Sequence, residues 1–246
     1  MARWARAARL LDLPAGSKVL DLGCAFGFGT GLLTGRYQAF GHDLSASYIH
    51  RARRRVPSAV FTLGPADRIP YGDGYFDGLL LLDVLEHVPD EQAVIEEVSR
   101  VLRPGGKLVL SVPNAGLFAG MDSLNLYRRI LGDNAAAPTD DPSWTISPHH
   151  RHYALTRLQE LLGDAFRIQQ IRYSGWGLAE PVNLALLLLF RRMPRLYEVV
   201  QYLYFGVYLA EDLVPTGDRG YHLMLVAERR DSAASAAILC APETGP

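Results

Sequence analysis

Apolar residues fall along the chain in short, nearly unbroken runs, separated by stretches whose apolar positions recur every three or four residues. The first run, over 17–22, leads into VLDLGCAFGFG (19–29), where Val19, Leu20 and Leu22 surround Asp21 and a glycine-rich turn follows. Apolar residues on consecutive positions suit a strand covered on both faces, as in parallel sheets with helices above and below. Further strands are expected over 39–43 (AFGHD), 59–63 (AVFTL), 76–83 (FDGLLLLD), 107–113 (KLVLSVP), 166–174 (FRIQQIRYS) and 221–229 (YHLMLVAER). Helices are expected over 27–35, from Ser45 as N-cap to about Val56, from Asp90 to just before Pro104-Gly105-Gly106, and over 154–163. Strands alternating with helices at this spacing predict a doubly wound, parallel α/β sheet.

Two stretches break the rhythm. Residues 114–150 carry clusters of Gly, Pro, Asn and Asp, the composition of an insertion or lid. Residues 178–214 are rich in Leu, Tyr and Phe. Within them VNLALLLLF (182–190) has nine residues before Arg191-Arg192, too few to span a bilayer. Over 196–214, Leu196, Val199, Val200, Leu203, Val207, Ala210 and Val214 share one helical face. A helical cap packed on the sheet, or on a second copy of the chain as a homodimer, outweighs the sharper reading of an acceptor pocket with peripheral membrane contact.

The whole chain, 246 residues with 49% hydrophobic content and a formal charge of −1, belongs with ordinary globular proteins, and nothing basic in it argues for a nucleic-acid partner. The basic residues are nearly all arginine, and the RARRR cluster (51–55) reads as a solvated helix face. Two cysteines, Cys24 in the turn and Cys240 in the tail, are too few for a disulfide framework or a zinc site, so a reducing, cytoplasmic setting is expected. The opening MARWARAARLL has arginines but no apolar stretch of signal-peptide length after them; Arg3, Arg6 and Arg9 recur at helical spacing and predict an amphipathic helix.

Gly23, Ala25, Gly27 and Gly29 make a turn that lets a ligand approach the backbone. A pyrophosphate-binding G-x-G-x-x-G fails in both frames: the third and sixth positions from Gly23 are Ala25 and Phe28, and the sixth from Gly27 is Leu32. What stands there is Asp21-x-Gly23-x-Ala25-x-Gly27, with Asp43 closing the second strand twenty residues after Gly23. A carboxylate at that place can accept both hydroxyls of a ribose, which outweighs its reading as a helix cap once the turn is considered with it.

The turn resembles motif I of the class I S-adenosylmethionine-dependent methyltransferases, with Ala25 in place of the middle glycine, a substitution expected to keep negative φ. LGPADRIPYGDGYFD (63–77) is similar to the third cofactor segment of that family, with Pro65 where an acid is common; LLDVLEHVPD (81–90) and VLRPGGKLVLSVPN (101–114) complete the likeness. It covers 17–113 strongly and 147–174 loosely, and DVLEHVPD is most like the quinone-biosynthesis and small-molecule O-methyltransferases. The resemblance implies a Rossmann-like, seven-stranded, mostly parallel sheet with its last strand antiparallel and with helical insertions. It also implies S-adenosylmethionine as cofactor, meeting Asp21, Gly23, Cys24, Ala25 and Gly27 in the turn, Asp43 and Leu44 after strand two, Ala66, Asp67 and Arg68 in the third segment, and Asp83 and Val84 after strand four. The domains are then 1–113 (cofactor core with its leading helix), 114–153 (lid), 154–174 (core resumed), 175–219 (apolar helical cap), 220–230 (closing strand) and 231–246 (disordered tail).

Methyl transfer from a sulfonium asks chiefly for alignment, and a hydroxyl acceptor adds a general base. His87, directly after strand four, is the first choice, with His149 and His150 of PHHRHY (148–153) and Tyr153 expected to line the mouth for a small-molecule acceptor. No metal is assigned: Asp83, Glu86 and His87 have too generic a spacing, and the neighbouring histidines of PHHRHY are not expected all to face one point, so a polar loop outweighs a metal site there. His42, His50 and His222 are expected to be structural or exposed. The rival readings are a non-catalytic nucleoside- or partner-binding module on the same fold, a nicotinamide-dependent oxidoreductase, and an aminopropyl transferase.

Overall fold

A computed structural model describes residues 2–117, 119–132, 150–177, 179–190 and 216–231, with positions 193, 196 and 200 between them. The expected amphipathic helix over 197–214 apart from position 200, the tail beyond 231, Cys240 and His149 lie outside the described residues.

Seven strands form one sheet: β1 (Lys18–Leu22), β2 (Gln38–Asp43), β3 (Val60–Leu63), β4 (Phe76–Leu82), β5 (Leu102–Pro113), β6 (Phe166–Ser174) and β7 (His222–Arg229). Their order is β3-β2-β1-β4-β5-β7-β6, parallel except for β7, which runs antiparallel to both neighbours. The helices are α1 (Ala2–Leu11), α2 (Phe28–Leu33), α3 (Ala46–Arg55), α4 (Glu91–Val101), α5 (Ser123–Leu131), α6 (Leu155–Leu162) and α7 (Ala179–Phe190). Chain order reverses at β1 and β4, so the carboxyl ends of those strands open a crevice there.

Alternate residues of each strand feed two apolar layers. Leu20, Leu22, Leu79, Leu81, Leu108 and Leu110 pack with Val94, Ile95 and Val98 of α4 and Leu158, Leu161 and Leu162 of α6. Val19, Leu80, Leu82 and Val109 pack on the opposite side with Ala7 and Leu11 of α1 and Leu33 of α2. Burial on both faces is why FDGLLLL of β4 is apolar without alternation; each of these leucines contributes roughly 2 kcal/mol of transfer free energy.

Three local expectations need correcting. β5 begins at Leu102 rather than 107, because Leu102 already pairs with Phe76; the register then shifts, Gly78 meeting Lys107, and Pro104-Gly105-Gly106 form the irregularity, with Gly105 at φ +71°. Arg3 does not share a solvated stripe with Arg6 and Arg9: it is buried, ion-paired to Asp83, with Nη2 2.8 Å from Nε2 of His222. The RARRR cluster is more than a wet face, since Arg51 lies 4.0 Å from the Phe26 ring centroid, Arg55 3.7 Å from that of Phe28, and Arg53 donates to the Phe61 carbonyl.

Beyond β5, α5 and α7 pair through Tyr127, Leu187 and the leucines around them. Glu180 of α7 is buried against the start of α5, accepting from the Ser123 amide (2.9 Å) and hydroxyl (2.6 Å). No helix among the described residues is long and apolar enough to cross a membrane.

Candidate active site

The glycine turn is fastened to β2 before any ligand arrives. The amides of Gly23 and Cys24 both donate to the His42 carbonyl, at 2.8 and 3.1 Å, and the Gly27 amide donates to the Cys24 carbonyl at 2.8 Å. Gly23 and Gly27 sit at φ +79° and +78°, the left-handed region open to glycine. Gly23 is fixed by space as well: a Cβ there would lie 2.3 Å from Cγ2 of Val84. Ala25 does not keep negative φ. It sits at +43°, and the strain of a side chain there is offset by Asp43, whose Oδ2 accepts from the Ala25 amide at 2.9 Å. Oδ1 of Asp43 accepts from the Ser45 amide at 2.8 Å, while Ser45 itself caps α3 through the Tyr48 amide.

Asp21 lies under the turn. It is buried, accepts from the Thr30 hydroxyl at 2.7 Å, and burial pushes its pKa up to about 6 against the pull of that hydrogen bond. Cys24 is a buried free thiol, its pKa raised by burial and by the carboxylates of Asp21 and Asp43. Phe26 and Phe28 point toward the arginines of α3 and leave the turn open.

Across the crevice β4 ends on Asp83, a non-glycine residue at φ +55°. Its conformation is held by the Asp83 amide donating to the Ser111 carbonyl (2.9 Å), by the Ser111 hydroxyl donating to Oδ1 (2.9 Å), and by Arg3. Between turn and strand lies a cavity of about 320 Å³, within the usual size range of small-molecule sites. Its walls include Gly23 and Ala25, Asp43 and Leu44, Ala66 and Asp67, and Asp83, Val84 and His87.

His87 closes a 3₁₀ turn (Leu85–His87) at one end of this cavity and stacks on His150, the ring centroids 4.8 Å apart. His150 and His152 stand two apart in a non-helical segment, which sends both side chains to one side, and both converge on Asp122 at the N-terminus of α5. His150 Nδ1 is hydrogen-bonded to Asp122 Oδ2, and His152 Nε2 lies 3.5 Å from the same oxygen. On the far side of the imidazole, Glu86 Oε1 is 3.7 Å from His150 Nε2. Burial opposes a charge on His150, yet the hydrogen bond to Asp122 and the negative charges of Asp122 and Glu86 win and raise its pKa to about 10. His152, buried with less help, is lowered. Two of the three neighbouring histidines, His150 and His152, thus face one point, while His149 lies outside the described residues. Two triads, Glu86–His87–His150 and Asp122–His150–His152, each bring one ligand atom per residue within 4.8 Å of the others.

A family model described as a methyltransferase domain matches residues 20–110, the stretch that builds the turn, the cavity and β5. Demethylmenaquinone methyltransferase of Mycobacterium bovis is 32% identical over 181 residues, 71% of this chain and 73% of that enzyme. The chain belongs to the class I S-adenosylmethionine-dependent methyltransferases. A 27-O-demethylrifamycin SV methyltransferase of Amycolatopsis mediterranei is 36% identical over 113 residues, which span 43% of this chain and under half, 42%, of that enzyme. The crystal structure of YcgJ from Bacillus subtilis shares the fold at 17% identity, with a TM-score of 0.61 over 93% of this chain and 98% of that one.

S-adenosylmethionine is the cofactor of this methyltransferase, and the cavity suits it: a backbone turn without bulk, the aspartates Asp43, Asp67, Asp83 and Asp90 in its walls, and apolar Leu44, Val88 and Val94 among them. Of the residues expected to meet the cofactor, Gly23, Ala25, Asp43, Leu44, Ala66, Asp67, Asp83 and Val84 line the cavity. Asp21, Cys24, Gly27 and Arg68 are not among its lining residues; the first three shape the turn from behind. Of the expected catalytic histidines, His87 lines the cavity and His150 stands one ring behind it. Tyr153 does not line a mouth: it is buried in the core, and its hydroxyl donates to Glu91 at 2.8 Å. His222 is buried beside Arg3, while His42, with Nδ1 2.8 Å from the Thr62 hydroxyl, also lines the cavity. Tyr48, Pro65 and Val88 also line the cavity, and only their nearness in sequence to the motifs could have signalled them. Asp122 gave no signal at all, because its partners lie 28 and 30 residues away in the chain.

Proposed function

We propose that this methyltransferase transfers the methyl group to a hydroxyl oxygen of an apolar small molecule that enters beside His87, next to the paired helices α5 and α7. The observation that carries the reading is the position of His87, with one face toward the cavity and the other on His150. Asp122, which caps α5 and holds His150, ties that helix to the same end of the cavity, and Glu180 ties α7 to α5. The names of two relatives, acting on demethylmenaquinone and on 27-O-demethylrifamycin SV, support a small-molecule acceptor, and the second supports oxygen.

Bound S-adenosylmethionine would supply an electrophilic methyl on a sulfonium, from which a neutral thioether, S-adenosylhomocysteine, departs as the leaving group. The backbone of Gly23 and Ala25 receives the methionine end. Asp43 has two lone pairs per oxygen, so after accepting the Ala25 and Ser45 amides it still accepts ribose hydroxyls. Ala66 and Asp67 flank the adenine, and Asp83 and Val84 bound the side nearest β4. His87 takes the acceptor proton: it is the histidine of this cluster that reaches the cavity, whereas His150 is turned to Asp122 and Glu86.

Incubating the protein with S-adenosylmethionine and a panel of apolar alcohols, phenols, amines and carbon acids tests this. The reading expects S-adenosylhomocysteine release with a hydroxyl acceptor and a new O-methyl by mass spectrometry; turnover confined to amines or carbon acids would contradict it.

A further inference from the structure

Four buried groups meet at the junction of α5 with the segment before α6, and their hydrogen bonding is incomplete. Among the described residues neither oxygen of Glu86, 1% exposed, makes a hydrogen bond, its nearest partner being His150 Nε2 at 3.7 Å, and Nε2 of His152 makes none either. Buried polar atoms are nearly always hydrogen-bonded, so these call for an explanation.

We infer that Asp122 Oδ2, His150 Nδ1 and His152 Nε2 form a binding site for one divalent first-row transition ion. Two imidazoles and one carboxylate are the donor set that suits zinc, cobalt or iron rather than magnesium or calcium. Two of the three ligands are already aimed by further contacts. Asp122 Oδ1 accepts from the Asn125 amide at 2.9 Å, and the Tyr221 hydroxyl donates to Oδ2 at 3.1 Å. The Asn125 side chain grips the backbone of His150 from both sides, accepting from its amide (2.9 Å) and donating to its carbonyl (2.7 Å). With Nδ1 on the ion, the other ring nitrogen of His150 carries its hydrogen toward Glu86, 3.7 Å away. A carboxylate behind a metal-bound imidazole is the usual way its tautomer and orientation are fixed, and Glu86 stands in that place. The ion takes the place of the hydrogen bond between His150 and Asp122, whose ligand atoms then separate to the roughly 3.3 Å that two bonds of about 2.0–2.1 Å span at a tetrahedral ion. The site stands behind His87, outside the walls of the cofactor cavity, so ion binding does not depend on the acceptor reading above.

The test uses the full chain, stripped by chelator and titrated with Co²⁺ followed by visible absorption, with Zn²⁺ as competitor. One equivalent of Co²⁺ is expected to bind with the absorption of a low-symmetry nitrogen–oxygen site and to be displaced by Zn²⁺. Asp122→Asn and His152→Ala are each expected to weaken binding by about 100-fold or more, and Glu86→Gln, which removes only the supporting carboxylate, by about 10–100-fold. S-adenosylmethionine affinity, measured by calorimetry on the same samples, reports that each variant is folded. Absence of stoichiometric uptake by the wild-type chain overturns the site. So does uptake unchanged in Asp122→Asn and His152→Ala but lost in His87→Ala, which would put the ion at Glu86–His87–His150 instead.

Discussion

The carboxylate of Asp43, at the end of β2, accepts a hydrogen bond from the amide of Ala25, in the turn after β1, at 2.9 Å. That bond holds an alanine at φ +43°, where glycine would sit unaided, so one side chain both completes the turn and faces the cavity.

Ala25→Gly should therefore be tolerated and mildly stabilising. Relief of a left-handed penalty of roughly 1–2 kcal/mol is opposed by about 0.5–1 kcal/mol of added chain entropy, leaving a gain of up to about 1.5 kcal/mol. Urea denaturation measures it; a loss of stability would mean that the alanine methyl packs favourably in the turn.

Arg3→Met should cost about 3 kcal/mol. The guanidinium is 1% exposed and paired to Asp83, so its removal leaves a largely buried carboxylate uncompensated beside a strained backbone. The thermal transition should fall accordingly, and an Arg3→Met/Asp83→Asn double variant should recover part of the loss. Additive losses would show that the pair carries little coupling.

Much of this architecture was legible in the chain and some was not, for physical reasons. Strands buried on both faces announce themselves as unbroken apolar runs, and FDGLLLL is one. The glycines at 23 and 27 mark positive φ directly, but the alanine between them gives no such mark, and its conformation depends on a carboxylate eighteen residues away. Arg3 at helical spacing with Arg6 reads as solvent-facing because its partners, Asp83 and His222, are 80 and 219 residues distant. The convergence of His150 and His152 on Asp122 was hidden for the same reason.

Stability should carry the signature of Asp21. Its folded pKa of about 6 lies above the ordinary 3.8, so its contribution is fully present below pH 4 and is lost as pH rises through 6. Asp21→Asn keeps an acceptor oxygen for Thr30 and removes the buried charge. The variant should gain up to about 3 kcal/mol over wild type above pH 6 and match it near pH 4. A difference independent of pH, followed by urea denaturation at several pH values, would contradict the assignment.

His87→Gln should lower kcat by about 100-fold with a hydroxyl acceptor while changing S-adenosylmethionine affinity by no more than a few-fold, because the residue borders the cavity from the acceptor end. Single-turnover rates and calorimetry separate the two effects. An unchanged rate would place the base elsewhere.

The most direct test of the account is a calorimetric titration of wild type and Asp43→Ala with S-adenosylmethionine. If the Asp43 carboxylate accepts the ribose hydroxyls and pins the turn, the variant should bind about 1–3 kcal/mol more weakly, roughly 5- to 150-fold in the dissociation constant. Equal affinity in the two proteins would contradict the account.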